Sequence, residues 1–119
     1  MQFRAPVPIL RIFDEAKARE LYLDWLGFEV LFEHRFEPGT PLYMGIKKGD
    51  CVLHLSEHHG DGTPGTYVRV EVPELEQFHA SLAPYKYYRP GLQDQEWGCR
   101  EMVVQDGFGN KLIFYRDIT

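Results

Sequence analysis

The chain has 119 residues, enough for one ordinary domain whose core needs no disulfide or metal staple. A formal net charge of −5 with no basic stripe argues against a nucleic-acid binder, and no apolar run reaches the ~18 residues of a membrane span. Aromatic residues make up 14% of the chain, more rings than so small a core must bury, so some are available to line a ligand cavity.

Val7 to Ile12 is apolar and β-prone apart from Pro8 and Arg11, and reads as a first strand. Asp14 is a good helix N-cap, and Glu15 suits the positive end of the helix dipole. Ala18, Leu21, Tyr22 and Trp25 then recur at i, i+3, i+4 and i+7, the stripe of an amphipathic helix. Gly27 follows Leu26 as a C′ residue in the left-handed conformation. Phe28 to Phe36 reads as a strand and Glu37-Pro38-Gly39 as a turn. Leu42 to Lys47 is the next strand, and Lys48-Gly49-Asp50 turns into Cys51 to Leu55.

Ser56 to Thr66, SEHHGDGTPGT, is polar and carries glycine and proline, so it reads as a linker. The same order of elements then starts again. Tyr67 to Val72 is a strand, Pro73 suits a first helical position, and Leu75, Phe78 and Leu82 mark one helical face. Pro84 stops that helix. Tyr85 to Tyr88, Cys99 to Gln105 and Lys111 to Tyr115 are strands, the last two joined by the tight turn Asp106-Gly107-Phe108-Gly109-Asn110. GDCVLHL and GNKLIFY close the two halves in the same way. The fold class is therefore α+β: two tandem β-α-β-β-β modules, about 5–56 and 66–117, within one domain spanning 1–119. A curled mixed sheet around a cleft is the expected arrangement.

The two cysteines, Cys51 and Cys99, form no CxxC pair, and the opening residues are polar and broken by Pro6 and Pro8, unlike a signal peptide. A cytoplasmic protein with reduced thiols is expected. His58 and His59 sit in the polar linker, and capture of a metal by them with His54 is left open. No HExxH, no nucleophile elbow and no glycine-rich phosphate loop is present.

The order of elements, ELYLDWLGFEV after the first strand, and the closing EWGCREMVVQDGFGNKLIF resemble the glyoxalase/bleomycin-resistance/extradiol-dioxygenase, or vicinal oxygen chelate, superfamily. Within it the pattern is most similar to the bleomycin-resistance proteins, with Gly107-Phe108 at a turn that usually carries Pro-Asp or Pro-Ala. Enzymes of the superfamily hold a divalent metal on inward positions of the first and last strands of each half. The resemblance places those positions at Val7 or Pro8, His54, Tyr67 with Arg69 two residues on, and Ile113. That set offers one imidazole and should hold no catalytic metal. No metal, no cofactor and no catalytic residue are therefore expected, and the balance falls toward a binding protein over an enzyme.

The resemblance implies sequestration of a planar aromatic, cationic antibiotic of the bleomycin type, and so an antibiotic-resistance role. The cleft would lie at the interface of a homodimer, with the N-terminal strand exchanged near Pro8. The ligand-binding residues are then Phe32, Phe36, His54, Tyr67, Arg69 and Trp97, with Tyr43 and Tyr87 as further wall aromatics. A cationic tail would suit Glu33, Glu37, Asp94, Glu96 or Glu101 at the rim. Gly98 is expected to leave room for the Trp97 indole. The alternative is a glyoxalase-like lyase or isomerase, or a thiol transferase, with a degenerate metal site around His54. No partner beyond a small aromatic molecule and a second copy is expected, neither nucleic acid nor membrane.

Overall fold

Asp14 opens the first helix as its chemistry predicts, accepting a hydrogen bond of 3.0 Å from the Lys17 amide. The computed structural model describes residues 1–83 and 90–119. Two compact units emerge, Met1–Pro64 and Gly65–Thr119. Each holds one four-stranded mixed sheet, so the α+β class and the tandem modules are as the sequence indicates. The strand expected over Tyr85–Tyr88, and with it Tyr87, lies outside the described residues. No helix among the described residues is long and apolar enough to cross a membrane.

In the first unit the sheet runs β1 (Ile9–Arg11), β4 (Cys51–Ser56), β3 (Tyr43–Lys48), β2 (Glu29–His34). Only β1 and β4 are parallel. β1 is shorter than the expected Val7–Ile12. Helix α1 (Glu15–Ala18) runs on into a wider π-helical stretch, Arg19–Trp25, where the sequence suggested one α-helix throughout. Its hydrogen bonds span five residues accordingly, with the Leu26 amide donating to Leu21 O at 2.9 Å. Gly27, at φ +84°, ends it as predicted, and the Phe28 amide donates back to Tyr22 O at 3.0 Å.

Alternation along the strands gives this sheet two faces. One carries Leu10, Met44, Ile46, Leu53 and Leu55, all buried, as are Ala18, Leu21, Tyr22 and Trp25 of the helix. An Arg19–Glu33 ion pair ties the helix to β2 on that side. At the sheet edge, β2 is exposed along its whole length, and a bulge at Leu31 interrupts its pairing with β3.

The second unit repeats the order: β5 (Tyr67–Glu71), β8 (Lys111–Asp117), β7 (Cys99–Gln105), β6 (Gln93–Asp94). β5 and β8 are the parallel pair. Helix α2 (Leu75–Ser81) starts two residues after Pro73, so the proline precedes the helix instead of opening it. Leu75 and Leu82 are buried, and Phe78 packs edge-to-face on Phe114 at 5.2 Å. Met102, Val104 and Leu112 are buried as well. Asp106 is the peg of the β7–β8 turn. It accepts from the amides of Phe108 (2.8 Å) and Asn110 (3.1 Å) and from Asn110 Nδ2 (2.7 Å).

Arg100 on β7 and Arg116 on β8 lie directly opposite each other, a like-charge pair that would destabilise the sheet. Glu76 of α2 offsets it by accepting from Arg116 Nε and Nη2 at 2.6–2.9 Å and from Arg100 Nη1 at 2.6 Å. The two guanidiniums, Arg116 first, hold the Glu76 carboxyl at about 2, below its ordinary 4.5. A depressed carboxyl stabilises the fold above its unfolded value, and the contribution is lost as pH falls through its folded value. Glu76→Gln should therefore lower Tm at pH 6, and the gap to wild type should close toward pH 2. An unchanged gap across that range would contradict the clamp.

Candidate functional site

The faces of the two sheets away from the buried sets carry most of the residues singled out in the sequence. In the first unit, one cross-strand row reads Ile9, His54, Gly45, Phe32. Gly45 explains how the row packs. A Cβ built there would lie 2.3 Å from Phe32 Cε1, so the Phe32 ring lies across the glycine. It meets the His54 ring edge-on at 5.2 Å and stacks on Tyr43 at 6.2 Å with planes 14° apart. Tyr43 and His54 are themselves edge-to-face at 5.2 Å. Phe32 and Tyr43 thus form an aromatic platform bounded by an imidazole, and Phe32 remains 42% exposed on it.

Tyr43 Oη and His54 Nδ1 are 2.7 Å apart. Burial, and secondarily the charge of Asp61, push the Tyr43 phenol up. Asp61 is fixed by the hydroxyl of Ser56, which donates to it at 2.9 Å.

This register corrects one expectation. The first-strand neighbour of His54 is Ile9, not Val7 or Pro8, because β1 begins at Ile9. The change brings no ligand: Ile9 and Gly45 flank His54, and neither can bind a metal. In the second unit the equivalent pair is Arg69 and Ile113, again without a metal donor. Among the described residues no three His, Cys, Asp or Glu side chains converge as a metal would require. The side chains flanking His54 and Arg69 in their sheets therefore offer no donor set that fits a catalytic metal. Burial, first of all, pushes the Cys51 and Cys99 thiols up, toward the protonated form.

On the open face of the second unit, Arg69 donates to Glu101 at 2.9 Å and lies over the Tyr115 ring at 4.3 Å. Lys111 donates to Tyr67 Oη at 3.1 Å and sits 4.9 Å from the centre of that ring. Tyr67 is 61% exposed, and the Glu101 side chain only 7%. The sequence reading missed Lys111 and Tyr115 here. Their signal was the parallel register, which sets Lys111 beside Tyr67 and Tyr115 two positions beyond Arg69's partner Ile113. Gly45 was missed too, although a glycine inside the strand YMGIKK marks a close approach.

Two expected residues stand apart from these clusters. Phe36 lies beyond the end of β2, which stops at His34, and is 82% exposed in the loop to β3. Trp97 sits in the tight turn between β6 and β7, where the Gly98 amide donates to Gln95 O at 3.1 Å, and it is 66% exposed. Gly98 takes the left-handed conformation, at φ +86°. A Cβ there would come within 2.4 Å of Thr119 Cγ2, so the glycine admits the C-terminal residue.

Solved structures share this arrangement. A bleomycin-binding protein complexed with bleomycin is 22% identical, with a TM-score of 0.71 over 97% of this chain and 99% of its own. A bleomycin resistance determinant encoded on transposon Tn5 is 20% identical, with a TM-score of 0.71 over 98% and 100%. TioX from Micromonospora sp. ML1 is 22% identical, with a TM-score of 0.67 over 93% and 96%. At these identities the likeness is one of fold. Comparison with curated proteins gives no match. A family profile described as glyoxalase superfamily protein matches residues 1–119, the whole chain, and the chain therefore belongs to the glyoxalase superfamily.

Proposed function

We infer that this protein binds and sequesters a planar aromatic compound of the bleomycin type without transforming it, as one functional domain over 1–119. The observation that carries this reading is the Phe32–Tyr43–His54 cluster, with Phe32 laid flat over Gly45. Sequestration needs faces to stack on and donors to orient a ligand, and the open faces offer both. The bleomycin-binding structure of the same fold supports the ligand class. A second copy completes the cleft in this reading, with Phe36 and Trp97, both exposed, available to the ligand or to the partner.

Titration with metal-free bleomycin tests it. Heat and a quench of tryptophan emission are expected at micromolar protein, and Trp97→Phe should abolish most of the quench while the buried Trp25 still emits. Tyr43→Ala should weaken binding about tenfold, the scale of one lost stacking partner. Absence of heat and quench with bleomycin and with a panel of flat aromatic drugs would overturn the reading.

A further inference from the structure

Three of the five rim carboxylates expected to attract a cationic ligand are already paired: Glu33 with Arg19, Asp94 with Arg100, and Glu101 with Arg69. On the open face of the second unit an ammonium is held in a different way. Lys111 Nζ donates to Tyr67 Oη at 3.1 Å and lies 4.9 Å from the centre of that ring. Among the described residues no carboxylate pairs with it, so the negative face of the ring and the hydroxyl oxygen hold this cation. Tyr67 is 61% exposed, and the same groups are open to a cation from solution. Strand alternation and register put Arg69 and Glu71 of β5, Asp117 of β8 and Glu101 of β7 on this face with Tyr67 and Lys111. Arg69 is engaged by Glu101 and Tyr115. With the Lys111 ammonium turned away, that one arginine faces three carboxylates, a balance that suits an incoming positive charge.

We propose that the ring and hydroxyl of Tyr67 are the seat for the positive arm of an aromatic ligand, and that Lys111 occupies this seat as an internal competitor until the ligand displaces it. The inference rests on the aromatic-binding reading and adds where the cation goes and which residue sets the affinity for it. Lysine suits this role. Its flexible stem regains rotamer freedom when the ammonium lets go, and an exposed cation–π contact is weak enough to be exchanged. A quaternary or delocalised ligand cation exchanges most readily, because it is less strongly hydrated than a lysine ammonium and loses less water on reaching the ring. Its apparent affinity is reduced by the fraction of time that Lys111 keeps the seat.

Calorimetric titration with trimethyl(2-naphthylmethyl)ammonium and the neutral 2-naphthalenemethanol tests this. Lys111→Met should tighten binding of the ammonium about two- to fivefold and leave the alcohol unchanged. Lys17→Met, which removes the same charge from an exposed position on α1, should change neither. Adding Tyr67→Leu to Lys111→Met should cancel the gain. In the wild type, labelling of Lys111 by an amine-reactive ester, read by peptide mass spectrometry, should rise with the ammonium probe and not with the alcohol. Each of four results would overturn the seat and leave aromatic binding intact: equal or weaker binding of the ammonium by Lys111→Met, a gain matched by Lys17→Met, a gain that survives Tyr67→Leu, or labelling of Lys111 that the ammonium leaves unchanged. Absence of heat with both probes at millimolar concentration would overturn the aromatic-binding reading as well.

Discussion

Replacing Asp106 by alanine is expected to cost about 3 kcal/mol of stability. Its carboxylate, 6% exposed, receives two backbone amides and the Asn110 side chain, all within the turn that joins the two longest strands. Alanine would leave those donors without the acceptor that organises them, in a place where water cannot fully replace it. Asp106→Asn keeps one acceptor oxygen and should cost about 1 kcal/mol. Urea unfolding of the two variants checks the order. An Asp106→Ala variant within about 0.5 kcal/mol of wild type would show that the turn is set by its glycines alone.

The second large effect is on binding and should leave the fold nearly untouched. Gly45→Ala places a methyl where Phe32 Cε1 now lies, 2.3 Å away. Phe32 is on an exposed edge strand, so its ring can swing out without disturbing the core. Gly45 has ordinary strand geometry, and alanine there gains back about 0.5–1 kcal/mol of backbone entropy. The variant should therefore unfold at the same urea concentration as wild type, or slightly above, while its affinity for an aromatic ligand falls about tenfold. Phe32→Ala should match it in affinity. If Gly45→Ala binds like wild type, the Phe32 ring contributes nothing to the site.

These two positions show what could be read in the sequence. The turn was legible because Asp-Gly-Phe-Gly-Asn carries its own local chemistry, with the acceptor and the flexible residues within five positions. The Asp14 cap and Gly27 were legible for the same reason. The α+β repeat followed from the order of such local signals. The site was less legible, because its geometry depends on register between strands far apart in sequence. Whether His54 faces Val7 or Ile9 turns on the register of a three-residue parallel strand, which the strand's own residues do not specify. Phe36 looked like a partner for Phe32 only while β2 was taken to run past His34. The expected rim carboxylates were hard to judge for another reason: Glu33, Asp94 and Glu101 are acidic in the sequence, but each pairs with an arginine from elsewhere in its unit.

The bulge at Leu31 bears on how the edge of this sheet resists pairing with other chains. β2 exposes Val30, Leu31 and Phe32 along the outer edge of its sheet, a stretch that on a flat edge would recruit strands from other molecules. The extra residue breaks the even spacing of unpaired amides and carbonyls, and Glu29 and Glu33 add charge on either side. An incoming strand could match the edge before the bulge or after it, but not across it. Deleting Leu31 would restore an unbroken register and with it a surface on which identical chains could stack, so aggregation, more than loss of folding, is the hazard this one residue guards against.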